Sequence, residues 1–147
     1  MLDGIVLLPG GGEALDVLGN RWTIKVRAEQ SGGAIAVLEA SFQPGSGAPA
    51  HVHFQHDETF YVLEGEFRFY LGKQSVTAKA GTCVFVPRDV PHGFENVGAQ
   101  PGRILGIMTP GGYERFFEEL ARLPAGPPDP AKFQKIFEKY DQATVKL

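Results

Sequence analysis

A chain of 147 residues with a formal net charge of −3 is one domain of common size, long enough to bury a proper core. Its 14 basic residues against 17 acidic ones offer no basic stripe for a nucleic acid. The single cysteine, Cys83, rules out an intramolecular disulfide and fits a reducing compartment.

The apolar run Ile5-Val6-Leu7-Leu8 is too short for the core of a secretory leader and has no basic residue before it. No stretch reaches the length of a membrane span. A cytoplasmic location is therefore expected, with no membrane partner. Residues 1–20, with Pro9-Gly10-Gly11-Gly12 and Gly19, read as an arm with a turn in it. Such an arm needs a neighbour to cover its apolar residues. From Trp22 to Arg27, Trp22, Ile24 and Val26 alternate with Thr23, Lys25 and Arg27, which predicts a half-buried strand. Ser31-Gly32-Gly33 turns the chain, and Ala34 to Phe42 reads as a second strand. Gln43 to Ala50 is expected to be a loop.

The stretch from Gly45 to Gly65, GSGAPAHVHFQHDETFYVLEG, carries the first chemistry. On an extended strand residues two apart share a face, so His51 and His53 aim into one space. Glu58 lies an odd number of positions beyond His53 and would point the other way. The polar insert Gln55-His56-Asp57 can reset that parity as a loop or bulge. Glu58, Phe60 and Val62 then return to the histidine face.

Glu64-Gly65 marks a hairpin, after which Phe67, Phe69 and Leu71 alternate with Glu66, Arg68 and Tyr70. Gly72-Lys73 turns again, Ser75 to Lys79 is a short strand, and Thr82 to Val86 is another, ended by Pro87. A strand from His92 puts Phe94 and Asn96 on one face. Arg103 to Met108 is the last predicted strand. Short strands separated by Gly and Pro turns indicate an antiparallel sandwich or barrel.

After Thr109-Pro110-Gly111-Gly112 the periodicity changes. Tyr113, Phe116, Phe117, Leu120 and Leu123 follow helical spacing, and Pro124 stops that helix. Asp129 and Pro130 are the N-cap and first position of a second helix, with an apolar stripe of Phe133, Ile136, Phe137 and Tyr140. These stripes are expected to pack on the outside of the barrel or against a second subunit. A helix-turn-helix is rejected, because Arg115, Arg122, Lys132, Lys135, Lys139 and Lys146 are balanced by acidic residues.

Two histidines, a carboxylate and a further histidine from another strand, His92, make a site for a first-row metal ion. The frame around them sharpens this. G-x5-H-x-H-x4-E-x6-G is matched by Gly45, His51, His53, Glu58 and Gly65, and G-x5-P-x-G-x2-H-x3-N by Gly81, Pro87, His92 and Asn96. Asp89 stands where the second pattern has glycine, and Asp tolerates the left-handed turn better than most residues.

These two stretches resemble the paired motifs of the cupin superfamily, and about Arg21 to Leu120 is similar to a small single-domain cupin of the quercetin 2,3-dioxygenase-like group. The resemblance implies an all-β double-stranded β-helix, a jelly-roll barrel, with two short C-terminal α-helices. The whole chain, 1–147, is then one domain: an arm at 1–20, the barrel at 21–109 and the helices at 112–142. It implies one divalent transition metal ion (Fe, Mn, Ni, Co, Cu or Zn) on His51, His53, Glu58 and His92. It also implies a small-molecule substrate, dioxygen as co-substrate, Glu58 as catalytic base, and a homodimer. The implied reaction is dioxygenation of an enolisable or catechol/flavonol-like compound, with Phe60 and Phe94 as candidates for the pocket wall. A metal-dependent isomerase or lyase, or a non-enzymatic small-ligand binder, would use the same ligands. His56 could be a fifth ligand, but its loop position reads better as a solvated residue near the mouth, and Cys83 reads as a buried, inert thiol.

Overall fold

Eleven strands and two helices follow one another in the computed structural model, which describes residues 2–146. The strands are β1 (Glu13–Val17), β2 (Asn20–Val26), β3 (Ala36–Phe42), β4 (Gly47–Val52), β5 (Asp57–Glu64), β6 (Glu66–Leu71), β7 (Gln74–Lys79), β8 (Cys83–Val86), β9 (His92–Asn96) and β10 (Gly102–Thr109). Helices α1 (Glu114–Ala121) and α2 (Pro130–Lys139) come next, and β11 (Ala143–Thr144) closes the chain. Two antiparallel sheets result, in the orders β1-β2-β3-β10-β5-β8 and β11-β4-β9-β6-β7. This is the expected all-β jelly roll with two C-terminal helices.

The alternation in the sequence explains the core. Ala40 and Phe42 of β3, Phe60 and Val62 of β5, and Ile104 of β10 face Phe67, Phe69 and Phe94 of the second sheet. Phe67 is fully buried and meets Phe42 edge-on, with ring centroids 6.1 Å apart. Edge-to-face packing of this kind adds to the burial of large apolar surface.

On the same inner face of the longer sheet, Ala36, Leu38 and Met108 extend beyond the second sheet and pack against Phe116, Phe117 and Leu120 of α1. The helices therefore cap an open end of the sandwich rather than its outside, which corrects the expectation. Apolar residues left uncovered by the shorter sheet select that position. Trp22 joins the two halves, stacking on Phe117 at 4.0 Å and lying edge-on to Phe42 at 5.5 Å. The buried Glu114 carboxylate accepts from the backbone N–H of Ala28 and Gly112, both at 2.7 Å, and fixes the start of α1.

Three local expectations differ from what is found. Part of the N-terminal arm, β1, pairs with β2. Their two-residue turn, Leu18-Gly19, has positive φ at both positions (49° and 81°), and leucine gives no hint of such a turn. The loop expected over Gln43 to Ala50 contains the first four residues of β4, where Pro49 and an irregular register against β9 hide the alternation. Cys83 is exposed rather than buried, because β8 is an edge strand whose outward face carries Cys83 and Phe85.

The remaining arm leaves Val6 and Leu8 largely exposed, at 88% and 76%. The expected homodimer would have to cover these side chains. Light scattering at micromolar concentration should read twice the chain mass, and a monomer there would refute it.

Candidate metal centre

Histidines 51 and 92 sit directly opposite each other on β4 and β9, and two glycines let those strands approach so closely. A Cβ on Gly47 would lie 2.0 Å from the Phe94 carbonyl oxygen, and one on Gly93 would lie 2.9 Å from that of Ala48. Immediately after β4 the segment 53–56 crosses from one sheet to the other. It resets the parity as the sequence suggested, so Glu58, Phe60 and Val62 of β5 all point inward. Asp89 adopts φ 65°, the left-handed turn expected in place of glycine, and its N–H donates to the His53 carbonyl at 2.8 Å.

The structure brings His51, His53, Glu58 and His92 together, with one donor atom of each lying within 4.8 Å of all the others. His92 Nε2 is 2.7 Å from Glu58 Oε2, and His53 Nε2 is 3.5 Å from the same oxygen. Each imidazole is oriented through its other nitrogen. Nδ1 of His51, His53 and His92 faces the carbonyl oxygen of Pro49 (2.7 Å), Asp141 (2.7 Å) and Val90 (3.0 Å) respectively. A carbonyl can only accept, so each Nδ1 carries the proton and, in the neutral ring, each Nε2 holds a lone pair. Histidines that bind metal are held in this way. His53 Nε2 is buried and makes no hydrogen bond. An orphaned donor atom beside two further imidazoles and a carboxylate fits a divalent first-row ion.

The electrostatics agree. Burial pushes the Glu58 carboxyl up, yet the imidazoles of His53 and His92 outweigh it and hold the group well below its usual 4.5. For His53 burial pulls downward, but the adjoining Glu58 carboxylate more than offsets it, so the net direction is upward. Burial, followed by the neighbouring His92, lowers His51 to about 4, which keeps it neutral near pH 7.

A cavity of about 230 Å³ opens from His51 and Glu58. Phe60 and Phe94 lie in its wall, and Trp22, Phe117, Phe133 and Phe137 line the part towards the helices. Among the described residues no lysine or arginine lines it.

His56 contradicts the expectation of a solvated loop residue. Its side chain is 4% exposed, its Nδ1 is 2.9 Å from Asp141 Oδ2, and its Nε2 is buried without a partner. The C-terminal tail causes this. Beyond α2, β11 pairs with the end of β4, and Asp141 accepts from the backbone N–H of Phe54 (3.1 Å) and Gln55 (2.7 Å). Tyr113, whose hydroxyl donates to Gln142, packs its ring 4.8 Å from His53 and 4.6 Å from His56. Burial, then the negative charge of Glu58 and Asp141, raises its phenol well above 10. Sequence reading missed Asp141 and Tyr113. Both lie more than 50 residues beyond the H-x-H pair, and neither falls in a motif.

The family model described as a cupin domain matches residues 38–108. Quercetin 2,3-dioxygenase of Bacillus subtilis (strain 168) is 24% identical over 147 residues, covering 97% of this chain and 43% of that protein. The chain thus spans less than half the length of that curated relative. KdgF from Halomonas sp. superposes with a TM-score of 0.69 at 18% identity, over 77% of this chain and 99% of that one. An RmlC-like cupin from Shewanella frigidimarina gives 0.64 at 22% identity, over 78% and 99%. At these identities the two structures speak for the fold alone.

Proposed function

We propose that this chain, whose residues 38–108 match the cupin domain model, is a metal-dependent dioxygenase of a small enolisable or catechol/flavonol-like compound. The observation that carries this reading is a set of three imidazoles and one carboxylate, all buried but the half-buried His51, opening onto an apolar, aromatic cavity. Such a wall suits a flat, largely uncharged molecule. Without lysine or arginine in the lining, the only countercharge for an anionic substrate would be the bound cation.

His51, His53, Glu58 and His92 would hold the ion. A bound divalent cation would supply Lewis acidity at a substrate oxygen and leave positions open for small ligands. Glu58 would take the substrate's hydroxyl proton on a carboxylate oxygen. Its low proton affinity comes from the imidazoles of His53 and His92. Beside a bound cation the carboxylate would stay ionised, and it would take the proton on an oxygen not held by the ion. Phe60 and Phe94 line the cavity and would exclude water from the reacting atoms.

The test is elemental analysis of the purified protein, followed by oxygen uptake on flavonols, catechols and β-diketones. At least one compound should be consumed with one equivalent of dioxygen. A metal-loaded sample that takes up no oxygen with any of them refutes the dioxygenase. Turnover under strict anaerobiosis would then identify an isomerase or lyase, and binding without turnover a ligand-binding module.

A further inference from the structure

We propose that Asn20 is the distal anchor of the ligand cavity, its side-chain N–H groups donating to a neutral acceptor oxygen at the end of the substrate remote from the metal. This rests on the flat, aromatic substrate proposed above and adds a second recognition point to it, on β2.

Asn20 is 8% exposed at the start of β2 and lines the cavity. Its Oδ1 lies 3.1 Å from the backbone nitrogen of Gln43 and 2.9 Å from the Ser46 hydroxyl. A backbone N–H can only donate, so the atom facing it is the oxygen and the orientation of the amide is settled. The two N–H groups lie on the other arm of the same planar group. Among the described residues they form no hydrogen bond. Trp22 shares this face of β2 and stands in the same cavity wall. A fixed donor beside an aromatic wall gains most from a ligand that brings its own acceptor.

The distance to the metal centre decides what can bridge the two. Ser46, which touches Asn20, leads directly into β4, and Gly47 to His51 run along the cavity wall. At the rise of a strand, Gly47 to His51 spans about 13 Å. One coordinate bond of about 2 Å and one hydrogen bond of about 3 Å leave roughly 8 Å for the ligand. That is the separation of oxygens on different rings of an aryl-substituted bicycle. A lone catechol or an acyclic β-diketone is too short to reach both ends.

The chemistry of the far end follows from the amide. It carries no charge, and among the described residues no lysine or arginine lines the cavity. A carboxylate or phosphate at that end would be buried without a counterion, which is costly. An ether, ketone or phenol oxygen needs only the donor that Asn20 offers.

Trp22 is the chain's single tryptophan and lines the cavity, so its fluorescence reports occupancy without turnover. The full-length protein is loaded with Zn²⁺ under nitrogen and titrated with two compounds. In 3-hydroxyflavone every oxygen sits on or in the pyranone ring. Its 4′-methoxy derivative adds one acceptor and no donor at the far tip. The wild type should bind the derivative roughly 3- to 10-fold more tightly. Asn20→Asp keeps the oxygen that Gln43 and Ser46 face but presents an acceptor where the amide had donors, so the preference should vanish. A merely structural role for Asn20 would move both compounds alike. Equal affinity of the two compounds in the wild type, which needs no variant to fold, overturns the inference and leaves the proposed dioxygenase standing. So does a preference that survives in N20D. Quenching by neither compound overturns the flavonol-like substrate and this inference together.

Discussion

Replacing His92 by alanine is expected to abolish metal uptake at concentrations that saturate the wild type. The side chain is 1% exposed on β9, its ring is fixed through Nδ1 on the Val90 carbonyl, and its Nε2 lies 2.7 Å from Glu58 Oε2. Apparent binding energies for four-ligand protein sites are of order 10–16 kcal/mol, so one ligand accounts for about 3 kcal/mol, or roughly 100-fold in affinity. Alanine also leaves the buried Glu58 carboxylate without its nearest partner, so the unliganded fold should lose stability as well. Glu58→Gln should reproduce the effect, since an amide cannot supply the charge that a divalent ion asks for. Calorimetry with Co²⁺ or Ni²⁺ reads both variants. Wild-type affinity in either one would refute the ligand set.

The second large effect comes from a residue with no functional group. Gly47→Ala places a Cβ 2.0 Å from the Phe94 oxygen and 2.8 Å from Glu95 Cα. Both obstacles are backbone and neither can swing away, so β4 and β9 must separate. Forced overpacking costs about 3 kcal/mol, which for a domain near this size lowers Tm by roughly 6–12 °C. The strain would fall on the pair of strands that holds His51 against His92, and metal affinity should drop along with stability. Gly106→Ala is the control. Its nearest neighbours would be 3.8 Å away, an ordinary contact, so Tm should barely move. A Gly47→Ala protein that melts with the wild type would show that the strands can part without cost.

Legibility in the sequence followed the range of the interaction. The strand alternation around Phe67 and Phe69, the capped start of α2 at Asp129 and the left-handed Asp89 are local, and short-range rules recovered them. His51, His53, Glu58 and His92 could be grouped because two spaced motifs, each read within some twenty residues, mark where β4, β5 and β9 meet. Asp141 has no such frame. It reaches His56 only because the tail doubles back to pair with β4, and no pattern in the chain announces that return. His56 was misread for the same cause, since a polar loop looks wet until something else covers it. Cys83 erred in the opposite sense. A strand pattern states which residues share a face, but not whether a neighbouring strand lies beyond.

That exposed thiol has a practical consequence. Cys83 is the chain's single sulfhydryl, and it pairs across the ladder with Tyr61, three residues along β5 from Glu58. One maleimide dye per polypeptide would attach at a defined distance from the cation-holding pocket, without engineering. A paramagnetic ion captured there should quench its fluorescence, turning occupancy into an optical signal.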